Sequence, residues 1–240
     1  DLDLWDTPPY EAVIKDGKIF GRGTLDDKGM IIASLYAMKA VSNLGLPLHK
    51  RVQLIIGTQE EVEWTDMDSY VANYPLPDYG FSPDGEYPIC NIEKGCIDYA
   101  LELDTDDNPE GLHLVSIKCG VMQNAVPDMA VAILSDGTEV IAKGKTVHSC
   151  QPEQGENALF NLYKKLASMD VAENKLLKLL KEINDKFSSI YGKELGLYSE
   201  SEFYQGEFVH RNTFSPTIFN AEGNVATLNI NCRFPYGESE

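Results

Sequence analysis

Arg51-Val52-Gln53-Leu54-Ile55-Ile56-Gly57-Thr58-Gln59-Glu60-Glu61 is a short apolar run that ends in two adjacent carboxylates. Its β-branched content and lack of alternation predict a strand buried on both faces, the pattern of a parallel sheet. On its N-terminal side, Ile31, Leu35, Met38 and Val41 recur at helical spacing from Lys28 onward, and Gly45 follows as a stop. On its C-terminal side, a second helix is expected over Asp66–Asn73. A strand-like Tyr79-Gly80-Phe81-Ser82 then leads into Pro83-Asp84-Gly85. Strand, helix, strand, helix, strand is the α/β signature and predicts a mixed, mainly parallel sheet. Earlier still, Lys15-Asp16-Gly17-Lys18 sits between apolar residues and predicts a hairpin within Ala12–Phe20.

The pattern changes after Gly95. Strands are expected over 96–103, 112–119, 129–134, 138–142 and 225–232, and helices over 157–169 and 175–191. Strands and helices in separate blocks predict an α+β module. The boundary is placed near residues 95–97, giving domains 1–95 and 96–240, and the apolar residues are spread so that each half can bury a core of its own.

Acidic residues number 38 against 20 basic ones, for a net charge of −18. A surface that negative repels phosphate backbones, which argues against nucleic-acid binding. Most of the excess serves solubility. The five cysteines form no C-x-x-C pair, which points to reduced thiols and a cytoplasmic setting. No apolar run approaches the ~20 residues needed to span a bilayer, and no signal-peptide pattern opens the chain. The chain begins at Asp1 without a Met and stops soon after a strand-like run, and it reads as an internal piece of a longer protein.

Three carboxylate stations carry the chemistry. Gly21-Arg22-Gly23-Thr24-Leu25-Asp26-Asp27-Lys28-Gly29 lies where a hairpin hands over to a helix. Its glycines allow a tight bend that aims the Asp side chains, although ordinary helix capping by Asp26 or Asp27 is an equal reading. Glu60 and Glu61 follow a strand end, where ligand sites of open sheets lie. Adjacent carboxylates repel unless a cation or proton intervenes, although Glu63, Asp66 and Asp68 also make this a plausible solvated acidic loop. Asp84, between Pro83 and Gly85, is by itself an ordinary turn residue. Together, carboxylates after three successive elements suit divalent metals. His49 precedes a strand start, at the wrong end of the sheet, and is rejected as a ligand.

With Trp5-Asp6-Thr7-Pro8-Pro9-Tyr10-Glu11 and Phe81-Ser82-Pro83-Asp84-Gly85-Glu86-Tyr87-Pro88, these motifs resemble the aminoacylase / DapE / carboxypeptidase G metallopeptidase family, and within it the dipeptidase V branch. The resemblance implies an α/β catalytic domain, zinc-exopeptidase-like, with an inserted α+β lid domain. It implies two zinc ions, replaceable by cobalt or manganese, with Asp26 bridging, Glu61 on one and Asp84 on the other. Asp27 would orient the site, and Glu60 would be the general base. Gly144-Lys145-Thr146-Val147-His148-Ser149-Cys150 resembles the lid histidine motif, so His148 would steady an oxyanion, joined by Asn124 of Gln123-Asn124-Ala125-Val126-Pro127. A lone His in a strand-to-loop stretch is otherwise structural. Arg233 would hold the substrate's terminal carboxylate, where a plain surface arginine is the alternative. The metal-binding histidines of the family would lie outside residues 1–240.

The function implied is hydrolysis of dipeptides or related small amides. N-acyl amino acid hydrolysis on the same scaffold is the near rival, and an inactive relative or metal-dependent interaction module the distant one. The resemblance leaves a monomer or a lid-mediated homodimer open.

Overall fold

The computed structural model describes residues 5–60, 62–85, 89–90, 93–198, 203–204, 206–208 and 211–235. The chain divides into two compact units, Asp1–Cys90 and Asn91–Glu240.

In the first unit, β1 (Val13–Lys15) and β2 (Lys18–Phe20) pair antiparallel around Asp16 and Gly17. Both turn residues have positive φ, 52° and 73°, as a type I′ hairpin turn requires. Helix α1 (Lys28–Asn43) starts where the spacing predicts, and the chain leaves it through Gly45 at φ 62°. Helix α2 spans Thr65–Asn73.

The expected mainly parallel sheet is not formed. Residues 51–57 and 79–82 carry no strand, and every ladder among the described residues is antiparallel. A strand exists only through lateral hydrogen bonds, and no described residue offers a ladder to 51–57. Val52 and Ile56 are accordingly exposed. No described residue of this unit is buried, so the expectation that each half buries its own core fails here. One hairpin and two helices supply no second layer against which an apolar face can close.

The second unit holds the core. Strands β3 (Gly95–Asp104), β4 (Leu114–Cys119), β5 (Met129–Leu134), β6 (Glu139–Lys143), β9 (Thr213–Glu222) and β10 (Val225–Phe234) form one antiparallel sheet in the order β3-β10-β9-β4-β5-β6. Helices α3 (Ala158–Leu166) and α4 (Lys175–Phe187) pack on it, and a short hairpin, β7 (Phe203–Tyr204) with β8 (Glu207–Phe208), stands apart. Alternate strand residues (Ala130, Ala132 and Leu134 on β5, Val140 and Ala142 on β6) face Leu159, Leu162, Leu166, Leu176, Leu180 and Ile183 of the helices.

Two buried asparagines lock the layers together. Asn157 caps α3 by accepting from Leu159 N (2.9 Å), while its Nδ2 donates to the Pro216 carbonyl of β9 (2.8 Å). Asn174 caps α4 by accepting from Leu177 N (3.0 Å) and donates to the Leu114 carbonyl of β4 (2.7 Å). Each cap is therefore also a helix-to-sheet tie.

Strand β9 is not among the strands expected from the sequence, and it holds Pro216, whose missing N–H disfavours a place in the middle of a sheet. Two features admit it. The β4 ladder stops at Cys119↔Phe219, before Pro216 is reached, and the β9–β10 register slips beside Ile230, which pairs with Pro216. A bulge and a ladder end are where a missing N–H costs least.

Candidate active site

In the first unit, the glycine-rich turn is closed by Thr24, whose N and Oγ1 both donate to the Gly21 carbonyl (3.2 and 2.9 Å). Gly23 has φ 78°, and a Cβ on Gly29 would lie 2.5 Å from the Thr24 carbonyl oxygen, so a larger residue cannot occupy position 29 without displacing backbone. Asp27 stands at the N-cap of α1, yet its side chain makes no capping bond. The capping alternative is thus not realised at Asp27. The peptide bond between Asp26 and Asp27 is cis.

Asp84 follows a turn in which its N–H faces Ser82 Oγ (3.5 Å). Desolvation, then the negative charges of Asp26 and Asp27, push the Asp84 carboxyl above the usual carboxylate range. Residues 26, 27 and 84, far apart in sequence, are therefore within electrostatic reach of one another. A neighbouring negative charge disfavours ionisation of a carboxyl.

Glu60 sits in a loop held from two sides. Asp66, at the start of α2, accepts from Gln59 N (3.2 Å) and Met67 N (2.7 Å) and from the backbone and hydroxyl of Thr58. These bonds, the Thr58 backbone bond first, hold the Asp66 carboxyl below its ordinary range. Trp64 Nε1 donates to the Glu60 carbonyl (2.8 Å). Asp66 is thus a loop clamp and not one more solvated charge, a role that an acidic residue in the first turn of a helix could have signalled. Glu61 lies outside the described residues. Among the described residues, no group of three or more His, Cys, Asp and Glu is arranged to hold a metal ion.

In the second unit, the structure brings Asn124 and His148 together. Ala125 and His148 form an antiparallel bridge, Ser149 N donates to the Asn124 carbonyl (2.9 Å), and Val126 N donates to the Val147 carbonyl (2.9 Å). Both Asn124 and His148 are exposed. Cys150 N donates to His148 Nδ1 (3.2 Å). A backbone N–H can only donate, so Nδ1 is the acceptor and the neutral ring carries its proton on Nε2. An Nε2–H donor is what oxyanion stabilisation requires.

The same turn is tied to β3. Half-buried Lys94 donates from Nζ to the Cys150 carbonyl (3.0 Å). Burial is the main influence lowering the Lys94 pKa; Glu153 and Cys150 oppose it and Arg233 adds to it. Lys94 therefore marks the end of the sheet where the His148 turn and Arg233 come close. Sequence reading missed it because its partner is 56 positions away. Thr213, directly across from Arg233 on β9, is buried with its hydroxyl unpaired among the described residues.

The approach to His148 is packed tightly. A Cβ on Gly144 would lie 2.0 Å from the Glu156 carbonyl oxygen and 2.8 Å from Ala158 N, both backbone atoms. Gly144→Ala is expected to destabilise the intact protein by about 1–3 kcal/mol, the usual cost of overpacking. Thermal unfolding measures it, and an unchanged midpoint would contradict the packing described.

Comparison with known proteins shows the family. The model of peptidase family M20/M25/M40 matches residues 1–183. A Bacillus subtilis protein named "Putative dipeptidase YtjP" is 33% identical over 267 aligned positions, which cover 97% of this chain and 56% of the relative. A Staphylococcus aureus protein (strain USA300), also named as a "Putative dipeptidase", is 31% identical over 267 positions, covering 98% of this chain and 56% of that relative. This chain belongs to the M20/M25/M40 peptidase family. It spans about half the length of the curated relatives it matches. No helix among the described residues is long and apolar enough to cross a membrane.

Proposed function

We propose that this chain carries part of the active site of a zinc-dependent dipeptidase, with its antiparallel α+β unit serving as the lid of that hydrolase. The observation that carries the reading is that Asp84, raised in pKa by desolvation and then by Asp26 and Asp27, lies within the field of those two carboxylates. Hard carboxylate oxygens under mutual repulsion are the donor chemistry that a divalent cation relieves. Asp26, Glu61 and Asp84 are the residues that would hold the metal. When bound, the metal supplies Lewis-acid polarisation and a water of lowered pKa.

The residues of the chain then have separate tasks. Glu60 accepts the proton of the attacking water and passes it to the departing amine as the C–N bond breaks. The clamp by Asp66 and Trp64 supports this role, since a general base must be held at a fixed distance from its proton. His148, donating through Nε2, and Asn124 steady the charge that develops on the carbonyl oxygen. Arg233 pairs with the free carboxylate at the end of the substrate. The names of the relatives support a dipeptide over an N-acyl amino acid.

Chelation of the intact protein is the direct test. Removing metal should abolish dipeptide hydrolysis, and added zinc should restore it. A panel of dipeptides and N-acyl amino acids then separates the two substrate classes. Full activity after exhaustive chelation would overturn the reading, and preference for N-acyl amino acids would overturn the substrate.

A further inference from the structure

Arg233 lies near the end of β10, with Asn231 two residues before it on the same side of the strand. Arg233 Nε donates to Asn231 Oδ1 (3.0 Å). Asn231 Nδ2 in turn donates to Asp98 Oδ1 (2.7 Å) and lies 3.3 Å from Cys96 Sγ. The strand register explains the arrangement: Asn231 pairs with Asp98 and Arg233 with Cys96 across β10 and β3. Directly opposed residues project to one face, close enough to touch.

The chemistry leaves the amide a single orientation. Arg233 Nε is only a donor, and an ionised Asp98 is only an acceptor. Asn231 must therefore turn its oxygen to the arginine and its NH2 to the aspartate. Asn231 is 1% exposed, so the amide that links the half-buried Arg233 to the exposed Asp98 is itself shielded from bulk water. A guanidinium can grip a carboxylate side-on, through Nε and one terminal nitrogen, or end-on, through its two terminal nitrogens. With Nε already engaged inside the protein, the side-on mode is closed. No described residue accepts from the terminal nitrogens. A flexible arginine on the surface loses rotamer freedom when it binds; here part of that freedom is already gone.

We propose that Asn231 is a positioning residue for substrate: anchored by Asp98, it holds Arg233 so that its two terminal nitrogens meet the substrate's free carboxylate end-on. The inference rests on the reading of Arg233 as the carboxylate clamp. It extends that reading by naming the binding mode and the two residues that impose it.

Steady-state kinetics of the intact protein on a dipeptide tests it. Asn231→Leu removes the Nε acceptor and should raise KM about tenfold, the factor lost with one hydrogen bond to a charged group. The turnover number should stay within about threefold, because the bond to the carboxylate is made in ground and transition states alike. The double exchange of Asp98→Asn with Asn231→Asp reverses the inter-strand bond but keeps an acceptor for Nε. It should return KM to within about threefold of the starting value. A purely structural role predicts no such recovery. If Asn231→Leu does not fold, Asp98→Ala, at an exposed position, should raise KM in the same direction by a smaller factor. Arg233→Ala separates the two levels of the argument. Unchanged KM in Arg233→Ala would defeat the clamp itself. Raised KM in Arg233→Ala beside unchanged KM in Asn231→Leu, or in Asp98→Ala where that variant stands in for it, would leave the clamp in place and overturn the role of Asn231.

Discussion

Glu60→Gln in the intact protein should lower kcat for a dipeptide by about 10²- to 10⁴-fold, the range that a positioned general base contributes, with little change in bound zinc. Glutamine keeps the size and the polarity of the side chain but cannot take a proton. The side chains of Asp66 and Trp64 hold the loop that presents residue 60 through its main chain. Asp66 accepts from Gln59 N, and Trp64 bonds the Glu60 carbonyl and not its carboxylate. Loss of rate with retained metal would separate the proposed base from the proposed metal ligands Asp26, Glu61 and Asp84, whose replacement should instead reduce metal content. Kinetics beside elemental analysis of the same preparation makes the comparison. A variant within tenfold of the parent rate would remove Glu60 from the mechanism.

Phe219→Ala should destabilise the second unit by about 3–5 kcal/mol, the cost of a large-to-small change at a site that cannot collapse. Phe219 is fully buried on β9, the strand that joins the two halves of the sheet. It pairs with Leu228 of β10 on one side and Cys119 of β4 on the other, so strands flank it on both edges and helices cover its face. Such a site is braced on every side and has little freedom to fill the void. Val121→Ala, at a side chain 89% exposed, should change stability by no more than about 0.5 kcal/mol. Chemical denaturation of the intact protein, followed by tryptophan-independent circular dichroism, reads both. Equal effects of the two substitutions would mean that β9 does not sit at the centre of the core.

Local patterning was enough wherever an element is specified by its own residues. Met129–Leu134 has the same ends in sequence and structure because a short continuous apolar run, bounded by Asp128 and by Ser135-Asp136-Gly137, defines it. Asp16-Gly17 marked the first hairpin, since few other residues accept positive φ at both central positions of such a turn. Two segments depart from their local pattern in opposite ways. Residues 51–57 have the composition of a strand but no lateral partner among the described residues. Strand β9 has a composition spoiled by Pro216, which the bulge and the end of a ladder accommodate. Strand formation depends on neighbours, and neighbours are not visible in a window of seven residues.

The candidate site divides along the same line. Asp26, Asp27, Glu60, Asp84, Asn124, His148 and Arg233 were legible because their chemistry is in their identity and in the short motifs around them. The residues that aim them were not. Asp98 and Asn231 are 133 positions apart, and only the β3–β10 register makes them opposite one another.

By itself, then, the amino-acid sequence determined the family, the acid-rich chemistry of the first unit and the residue types available for proton transfer, oxyanion support and carboxylate binding. Tertiary structure alone decided that Asp84 shares the field of Asp26 and Asp27, that His148 carries its proton on Nε2, and that Arg233 is held through Nε. The physical reason is that charge repulsion, tautomer and hydrogen-bond direction are properties of pairs, and these pairs are set by strand register and chain return, over separations that no local pattern encodes.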